Sequence, residues 1–258
     1  MTASGWKTLE GELDRWSAED RAASFWWRDD DAIEPTDRLE RLLNLSTRFA
    51  APLGLAVIPA GATVDLAARC VGHDGLLAPM QHGYAHRNHA PDGEKKCELS
   101  DRRDGDLVCG ELAEGATVMA ALFGSRALPV LVPPWNRIGP QIAARLTGLG
   151  FRGLSGFGDQ QAAPHDTALR QVNTHLDIMR WRPVRGFLGE DEVLKALETA
   201  LRARRASGRG APIGILTHHL VHDEPAWGFL ERLLDVLSGH AGARLVNPAR
   251  LFGVTEGR

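Results

Sequence analysis

Short apolar runs alternate with amphipathic stretches along most of the chain, a pattern typical of β/α units that build a parallel sheet. The predicted strands are Ser24 to Trp27, Leu53 to Ile58, Met80 to His82, Pro129 to Val132, Gly153 to Ser155, Val172 to Thr174 and Ile213 to Leu216. The predicted helices are Thr36 to Phe49, Thr63 to Gly72, Gly110 to Gly124, Pro140 to Leu149, Glu190 to Arg205 and Pro225 to Gly239. About seven parallel strands that end in polar clusters predict one distorted (β/α) barrel, an α/β fold whose active site lies at the carboxyl ends of the strands.

The segment 87–106 breaks this pattern because it is polar, contains glycine and is too long for an ordinary connection. We predict that it forms a functional loop or lid beside the histidines that precede it. The 258 residues contain no internal repeat and no low-complexity linker. A single domain, 1–258, is therefore predicted.

Composition narrows the classes of function. Apolar residues make up 43% and charged residues 24% of the chain, as in a soluble globular protein. The formal charge of −3 gives no general attraction to nucleic acid or anionic lipid, and no run approaches the roughly 20 apolar residues of a membrane span.

Charged residues interrupt the first 16 positions, so no signal peptide is predicted. The three cysteines lack metal-finger spacing and favour a reducing, cytoplasmic location. Nothing in the sequence predicts an oligomeric state.

Two clusters suggest a metal site. Asp29, Asp30 and Asp31 end the first predicted strand, and such a run is either relieved by a cation or is a solvated acidic turn before a helix. His82 and His86 are four residues apart, so both imidazoles could bind one ion, although such a pair also arises by chance among ten histidines. Together with a strand-end carboxylate they would form a two-histidine, one-carboxylate site with open positions for water and substrate.

Three further clusters also lie at predicted strand ends. The run Pro133-Pro134-Trp135 could aim the Trp135 amide at a developing oxyanion, or could simply stiffen a strand exit. The segment 173–181 embeds charges among large apolar residues, and buried charges need partners. His218 and His219 follow an apolar strand, where a histidine is either a hydrogen-bonded core residue or, opposite a metal, a general acid.

In this order the five clusters resemble the five motifs of the NodB-type polysaccharide deacetylases, a family that includes chitin and peptidoglycan deacetylases. The resemblance extends from Phe25 to about Asp223, and its specificity lies in the ordered combination. It implies a distorted barrel of β/α units and a divalent metal, often zinc, used to remove acetyl groups from N-acetylated sugars. Mixed histidine and carboxylate ligands suit zinc, cobalt, nickel and iron alike.

Carried over by position, the resemblance implies a role for eight residues. They are Asp30 as general base, Asp31, His82 and His86 as metal ligands, the Trp135 amide as oxyanion donor, His218 as general acid, and Leu216 and Trp181 as borders of the acyl pocket. The alternative is a register one residue earlier, in which Asp29 and Asp30 are the working pair of the first motif.

Two family residues that tune the base and the acid are replaced here, by Val132 and Arg180. The family usually has arginine immediately before the paired prolines and aspartate immediately before the aromatic residue of the fourth motif. Without substitutes for these two residues, the fold would be retained while activity would be weak or altered.

We expect Arg180, or alternatively Arg137, to supply the missing positive partner of Asp30, and Asp177 to support His218. The predicted function is metal-dependent hydrolysis of an acetyl or other N-acyl group from a small N-acetylated sugar, an oligosaccharide or a related small amide. The alternatives are a catalytically silent metal- or carbohydrate-binding protein, and a ureide or cyclic-amide hydrolase on the same fold. No nucleic-acid or membrane partner is expected.

Overall fold

A computed structural model describes residues 2–73, 75–162, 168–208 and 210–254. Its strands are β1 (Ala23–Ala32), β2 (Leu53–Val57), β3 (Leu77–His82), β4 (Val130–Val132), β5 (Gly153–Leu154), β6 (Arg170–Gln171), β7 (Leu176–Asp177), β8 (Met179–Arg180), β9 (Gly186–Phe187), β10 (Ile213–Thr217) and β11 (Ala243–Leu245). Its α-helices are α1 (Thr2–Ala18), α2 (Asp37–Arg48), α3 (Val64–Arg69), α4 (Gly105–Phe123), α5 (Pro140–Ala143), α6 (Glu190–Ser207), α7 (Glu224–Gly239) and α8 (Pro248–Leu251).

Nine of the described strands form one parallel sheet in the order β6-β5-β4-β3-β2-β1-β10-β7, with β11 pairing to β1. β8 and β9 form a separate antiparallel hairpin. The sheet curls into a partial barrel surrounded by helices, so the predicted distorted (β/α) barrel is confirmed. Because every ladder in this sheet is parallel, the carboxyl ends of the strands meet at one rim, where the candidate residues lie.

The central strand β1 has two differently packed faces. Trp27 belongs to the larger apolar cluster shared with the surrounding helices, whereas Trp26 packs in a second cluster with Met80 and Val132. Both tryptophans are fully buried. Since side chains alternate along a strand, Arg28 shares the face of Trp26, and Asp29 shares the face of Trp27. This alternation assigns the three aspartates of the strand end to different surroundings.

Helix α1 has no counterpart among the predicted elements. Its apolar residues Trp6, Leu9, Leu13 and Trp16 are buried, and the helix packs against α6. Their spacing of three, four and three residues is helical, so a signal was present.

The remaining differences are local. Helix α4 begins at Gly105, five residues before the predicted start, because Asp104 accepts hydrogen bonds from the amides of residues 106 and 107. The predicted strand Val172 to Thr174 is wrong, since the strand is β6, two residues earlier. At 173 the Asn173 side chain bonds the backbone of Gly156 and other loop residues, so a regular ladder ends there.

The segment Gly105–Arg126 meets a length and composition criterion for a membrane-spanning helix. In the barrel, however, this segment packs on the outside of β3, and the buried Gln81 side chain donates to the carbonyl of Leu112. Gly115 permits this contact, because a Cβ there would lie 2.4 Å from Gln81 Nε2. Length and composition alone are weak evidence for a span, and these contacts are those of a helix in the barrel's outer layer.

Candidate active site

Asp31, His82 and His86 come together at the carboxyl ends of β1 and β3. Asp31 Oδ1 lies 3.2 Å from His82 Nε2 and 3.3 Å from His86 Nε2. An ion about 2.0–2.2 Å from each ligand requires ligand atoms about 3.0–3.5 Å apart. The spacing and the donor set therefore fit a divalent cation with two imidazoles and one carboxylate, and leave positions open for other ligands.

A bulge directs Asp31 to this site. Regular alternation would place Asp31 on the opposite face from Asp30. The pairing of β1 with β2 shifts register between Asp29 and Ala32, and Asp31 has φ 78°. Positive φ is uncommon for a residue with a side chain, and bulges commonly re-aim side chains beside functional sites. Both Asp30 and Asp31 can therefore face the centre of the rim.

The ionisation of the three residues reflects their mutual contact. Burial alone would raise the pKa of Asp31, but the hydrogen bond and charge of His82, with smaller effects of His218 and His86, lower it below its ordinary value. Burial would lower the pKa of His82, but the carboxylates of Asp30 and Asp31 raise it. The pKa of His86 is lowered by burial and by the neighbouring His82. Asp31 is thus held as a carboxylate, the form that binds a cation.

The ring nitrogen of His82 that faces away from Asp31 fixes the orientation of the ring. This atom, Nδ1, lies 2.9 Å from the carbonyl oxygen of Val132. This contact fixes the Nδ1–H tautomer and leaves Nε2 to face Asp31. A backbone carbonyl at this position is a common outer partner of a metal-ligating histidine.

Glu98 organises the turn that carries His86, a role that the sequence did not reveal. Its carboxylate is 1% exposed and accepts the backbone N–H groups of Tyr84, Ala85 and Arg87 at 2.9–3.1 Å. A Cβ at Gly83 would lie 2.0 Å from Glu98 Oε2, so only glycine fits there. Glu98 lies in the segment 87–106, which is therefore attached to the histidine turn, while its action as a lid stays a prediction.

Arg28 is the positive partner of Asp30. Its Nε and Nη2 donate to the two carboxylate oxygens at 2.8 and 3.0 Å, and both side chains are almost fully buried. Nη1 donates to the carbonyl and hydroxyl oxygens of Ser155, and Nη2 donates to Asn136 Oδ1 at 2.6 Å. Ser155 follows β5, four strands away in the sheet, so Arg28 reaches across the interior of the barrel.

The prediction that Arg180 or Arg137 pairs with Asp30 is wrong. Arg180 is exposed on β8, where its guanidinium donates to the carbonyl of Leu188. Arg137 donates to the carbonyl of Lys96. Arg28 already saturates both oxygens of Asp30, and it approaches from the same strand two residues earlier, on the same face.

Asp29 is occupied elsewhere, so the alternative register with Asp29 and Asp30 as the working pair does not fit the structure. Its carboxylate accepts hydrogen bonds from the Thr217 hydroxyl and the His219 amide, and lies 2.5 Å from His219 Nδ1. Burial would raise the pKa of Asp29, but the charge and hydrogen bond of His219 lower it. Asp29 and His219 form a fully buried pair on the face of β1 that packs against the helices.

His218 lies on the other side of the strand end from His219, at the rim. Its ring packs edge-on against Trp181, with centroids 4.6 Å apart, and its Nδ1 is 3.9 Å from Asp177 Oδ1. Asp177 also accepts from Trp181 Nε1 at 2.7 Å, which fixes that ring beside the histidine. Burial raises the pKa of Asp177, against the charge of His218. The residues predicted as acid, supporting aspartate and pocket aromatic are thus neighbours, and Leu216, two residues before His218, is buried.

The turn that follows the paired prolines has a strained backbone at Trp135 and Asn136. Trp135 and Asn136 have φ values of 53° and 56°, and the Trp135 ring lies 4.3 Å from the His86 ring. Among the described residues no acceptor takes up the Trp135 backbone N–H. Four of the six described residues other than glycine with positive φ, including Asp31 and His86, belong to this rim. Such strain clusters at functional sites.

These features define a candidate divalent-metal site on a partial (β/α) barrel, and the comparisons with known structures agree on the fold. A protein from Mycobacterium smegmatis assigned to the polysaccharide deacetylases aligns with a TM-score of 0.69 at 15% identity, covering 90% of this chain and 89% of that chain. The Puue allantoinase aligns with a TM-score of 0.65 at 16% identity, over 90% and 89% of the two chains. A family 4 acetyl xylan esterase from Clostridium thermocellum, solved with a cobalt ion, aligns with a TM-score of 0.54 at 15% identity, over 90% and 91%.

No family model and no curated protein sequence matches the chain. At these identities the likeness to solved structures establishes the NodB-type fold and no more. Activity therefore has to be argued from the residues themselves.

Proposed function

We propose that the protein is a metal-dependent hydrolase that removes an acetyl group, or a similar acyl group, from the nitrogen of an N-acetylated sugar or a related small amide. The observation that carries this proposal is the convergence of Asp31, His82 and His86 beside the Arg28–Asp30 pair, with His218 at the same rim. Zinc is the first candidate for the metal, with cobalt, nickel and iron as alternatives. We infer a soluble, small or oligosaccharide substrate.

A divalent ion at this site would supply polarisation of the acyl carbonyl and a water of lowered pKa. In this proposal Asp30, held by Arg28, accepts the proton of the attacking water. The Trp135 N–H donates to the developing oxyanion, and one such donor contributes on the order of 3 kcal/mol. His218 protonates the departing amine.

The first test is metal content followed by acetate release. Purified protein should carry about one divalent ion per chain, and Asp31→Asn should lose it while remaining folded. The metal-loaded protein should release acetate from at least one member of a panel of N-acetylated sugars and chitooligosaccharides, with allantoin included to detect ureide hydrolysis. Bound metal without any turnover would favour the silent binding protein, and absence of metal would refute the proposal.

The two adjacent histidines provide a matched pair of variants. His218→Ala should reduce kcat by about 10²- to 10⁴-fold while the metal stays bound, as expected for a general acid. His219→Ala should instead lower stability, because Asp29 would be left buried without its partner. A large kinetic loss confined to a stably folded His219→Ala would transfer the acid role to His219.

A further inference from the structure

A cavity of about 360 Å³ is lined by residues that follow β4, among them Asn136 and Arg137, and by residues that follow β5. It begins at Asn136, whose Oδ1 accepts a hydrogen bond from Arg28, the partner of Asp30. Its volume is at the lower end of the range for small-molecule pockets, about 300–1,000 Å³. A substrate whose acyl group lies at the metal ligands could therefore extend past Asn136 into this space.

The lining of the cavity has the chemistry of a site for a polar ring. Asn136, Gln160 and Gln161 contribute side-chain amides, and Phe157 is 42% exposed beside them. No hydrogen bond to a described residue occupies the amides of Gln160 and Gln161, so both can serve a ligand. Amide groups offer donors and acceptors to hydroxyls, and an exposed aromatic face covers the apolar side of a ring.

The charge that the described residues contribute to the cavity is positive. Arg137 is the charged residue among the described residues that line it, and none of these is a carboxylate. One guanidinium nitrogen donates to the Lys96 carbonyl at 2.9 Å, which holds the side chain in place and leaves the remaining N–H groups without a partner among the described residues. The Lys96 ammonium lies 5.8 Å from the centre of the Trp135 ring, so a second positive charge stands near the same edge.

We propose that this cavity binds the part of the substrate beyond the acyl group, and that Arg137 selects substrates in which this part carries an anionic group, a carboxylate or a phosphate. This inference rests on the proposed function and narrows its substrate class to acidic N-acyl amino sugars. A half-buried guanidinium held by a backbone carbonyl presents its other N–H groups in the geometry that such anions accept.

The test compares kcat/KM for acetate release from three related compounds: neutral N-acetylglucosamine, N-acetylglucosamine 6-phosphate and N-acetylmuramic acid, which carries a carboxylate. Wild-type protein should prefer one anionic compound by roughly 10- to 100-fold, the size expected of charge-assisted hydrogen bonds, and the identity of that compound distinguishes phosphate from carboxylate. Arg137→Gln should abolish the preference, and Arg137→Lys should retain part of it. The control is Arg152→Gln, since Arg152 is exposed, also donates to backbone carbonyls and lies outside the cavity lining.

A binding measurement separates this inference from the proposed reaction. Calorimetry with glucosamine and glucosamine 6-phosphate should show the same anion preference and the same dependence on Arg137. Arg137-dependent binding without any acetate release would support the cavity and refute the deacetylase. Equal treatment of neutral and anionic compounds by the wild type, or a preference that survives in Arg137→Gln, would overturn the inference whether or not acetate is released.

Discussion

Arg28 and Asp30 form a buried ion pair. Removing either partner tests how strongly Arg28 stabilises the charge of Asp30. The side chains are 0% and 3% exposed, and two hydrogen bonds of 2.8 and 3.0 Å join them. Breaking a buried pair by removing one partner costs about 3–5 kcal/mol, because the remaining charge is left uncompensated. Arg28 also bonds Ser155 and Asn136, so Arg28→Met should fall near the upper end of this range. That is a large part of a typical stability of about 5–15 kcal/mol.

A double-mutant cycle isolates the pair. Arg28→Met and Asp30→Asn should each destabilise the fold, and the double variant should be less unstable than their sum, with a coupling energy of about 2–3 kcal/mol. Urea unfolding at pH 7, followed by tryptophan fluorescence with a chelator present, measures this without a contribution from bound metal. In a chain of this size each kcal/mol also lowers Tm by about 2–4 °C.

The control cycle is the surface pair Arg102–Glu94, whose side chains are 64% and 48% exposed. Exposed pairs contribute about 0–1 kcal/mol. A coupling energy for Arg28 and Asp30 that is no larger than that of the control would refute the view that Arg28 replaces the arginine missing before the paired prolines.

Two further predictions concern residues behind the site. Glu98→Gln removes the charge that holds three amides of the histidine turn, so metal affinity should fall by about 10- to 100-fold in a chelator competition; unchanged affinity would show that the turn holds itself. Burial lowers the pKa of His222 from 6.5 to about 4, with the nearby His218 and His219 adding to the effect against Asp29. The unfolded chain therefore binds this proton first, and stability should fall by about 3 kcal/mol as pH drops from 6.5 to 4. His222→Gln should remove that part of the pH profile and His89→Gln, at an exposed position, should not; identical profiles for all three proteins would contradict the assignment.

The sequence was sufficient to predict the barrel and the grouping of the three candidate metal ligands. Alternating apolar runs identify β/α units because burial on both faces of a parallel sheet requires them. The spacing of His82 and His86 and their order after the aspartates identified three side chains that the structure brings together. Both predictions succeed because the strand pattern and the histidine spacing depend on the local geometry of the chain.

The sequence could not reveal contacts that depend on curvature. Arg28 adjoins the aspartates in the chain, yet its other partner, Ser155, lies across the barrel. The motif positions therefore favour the distant Arg137 and Arg180 as partners of Asp30, whereas the actual partner lies two residues before it. Likewise, no pattern indicates the bulge that turns Asp31 toward His82, or that Glu98 folds back onto the histidine turn.

The two motif departures were the reason to consider a silent protein, and the structure weakens both. The interior of a narrow barrel is accessible from every strand, so a guanidinium can occupy one position beside Asp30 whether its backbone belongs to β4 or to β1. Arg28 does this from β1, and Val132 at the vacated position packs in the interior cluster. Beside His218, Asp177 lies 3.9 Å from Nδ1 and also fixes the Trp181 ring. Since Asp30 has a charged partner in Arg28 and His218 has a carboxylate nearby, the replacements at Val132 and Arg180 do not by themselves favour the silent protein.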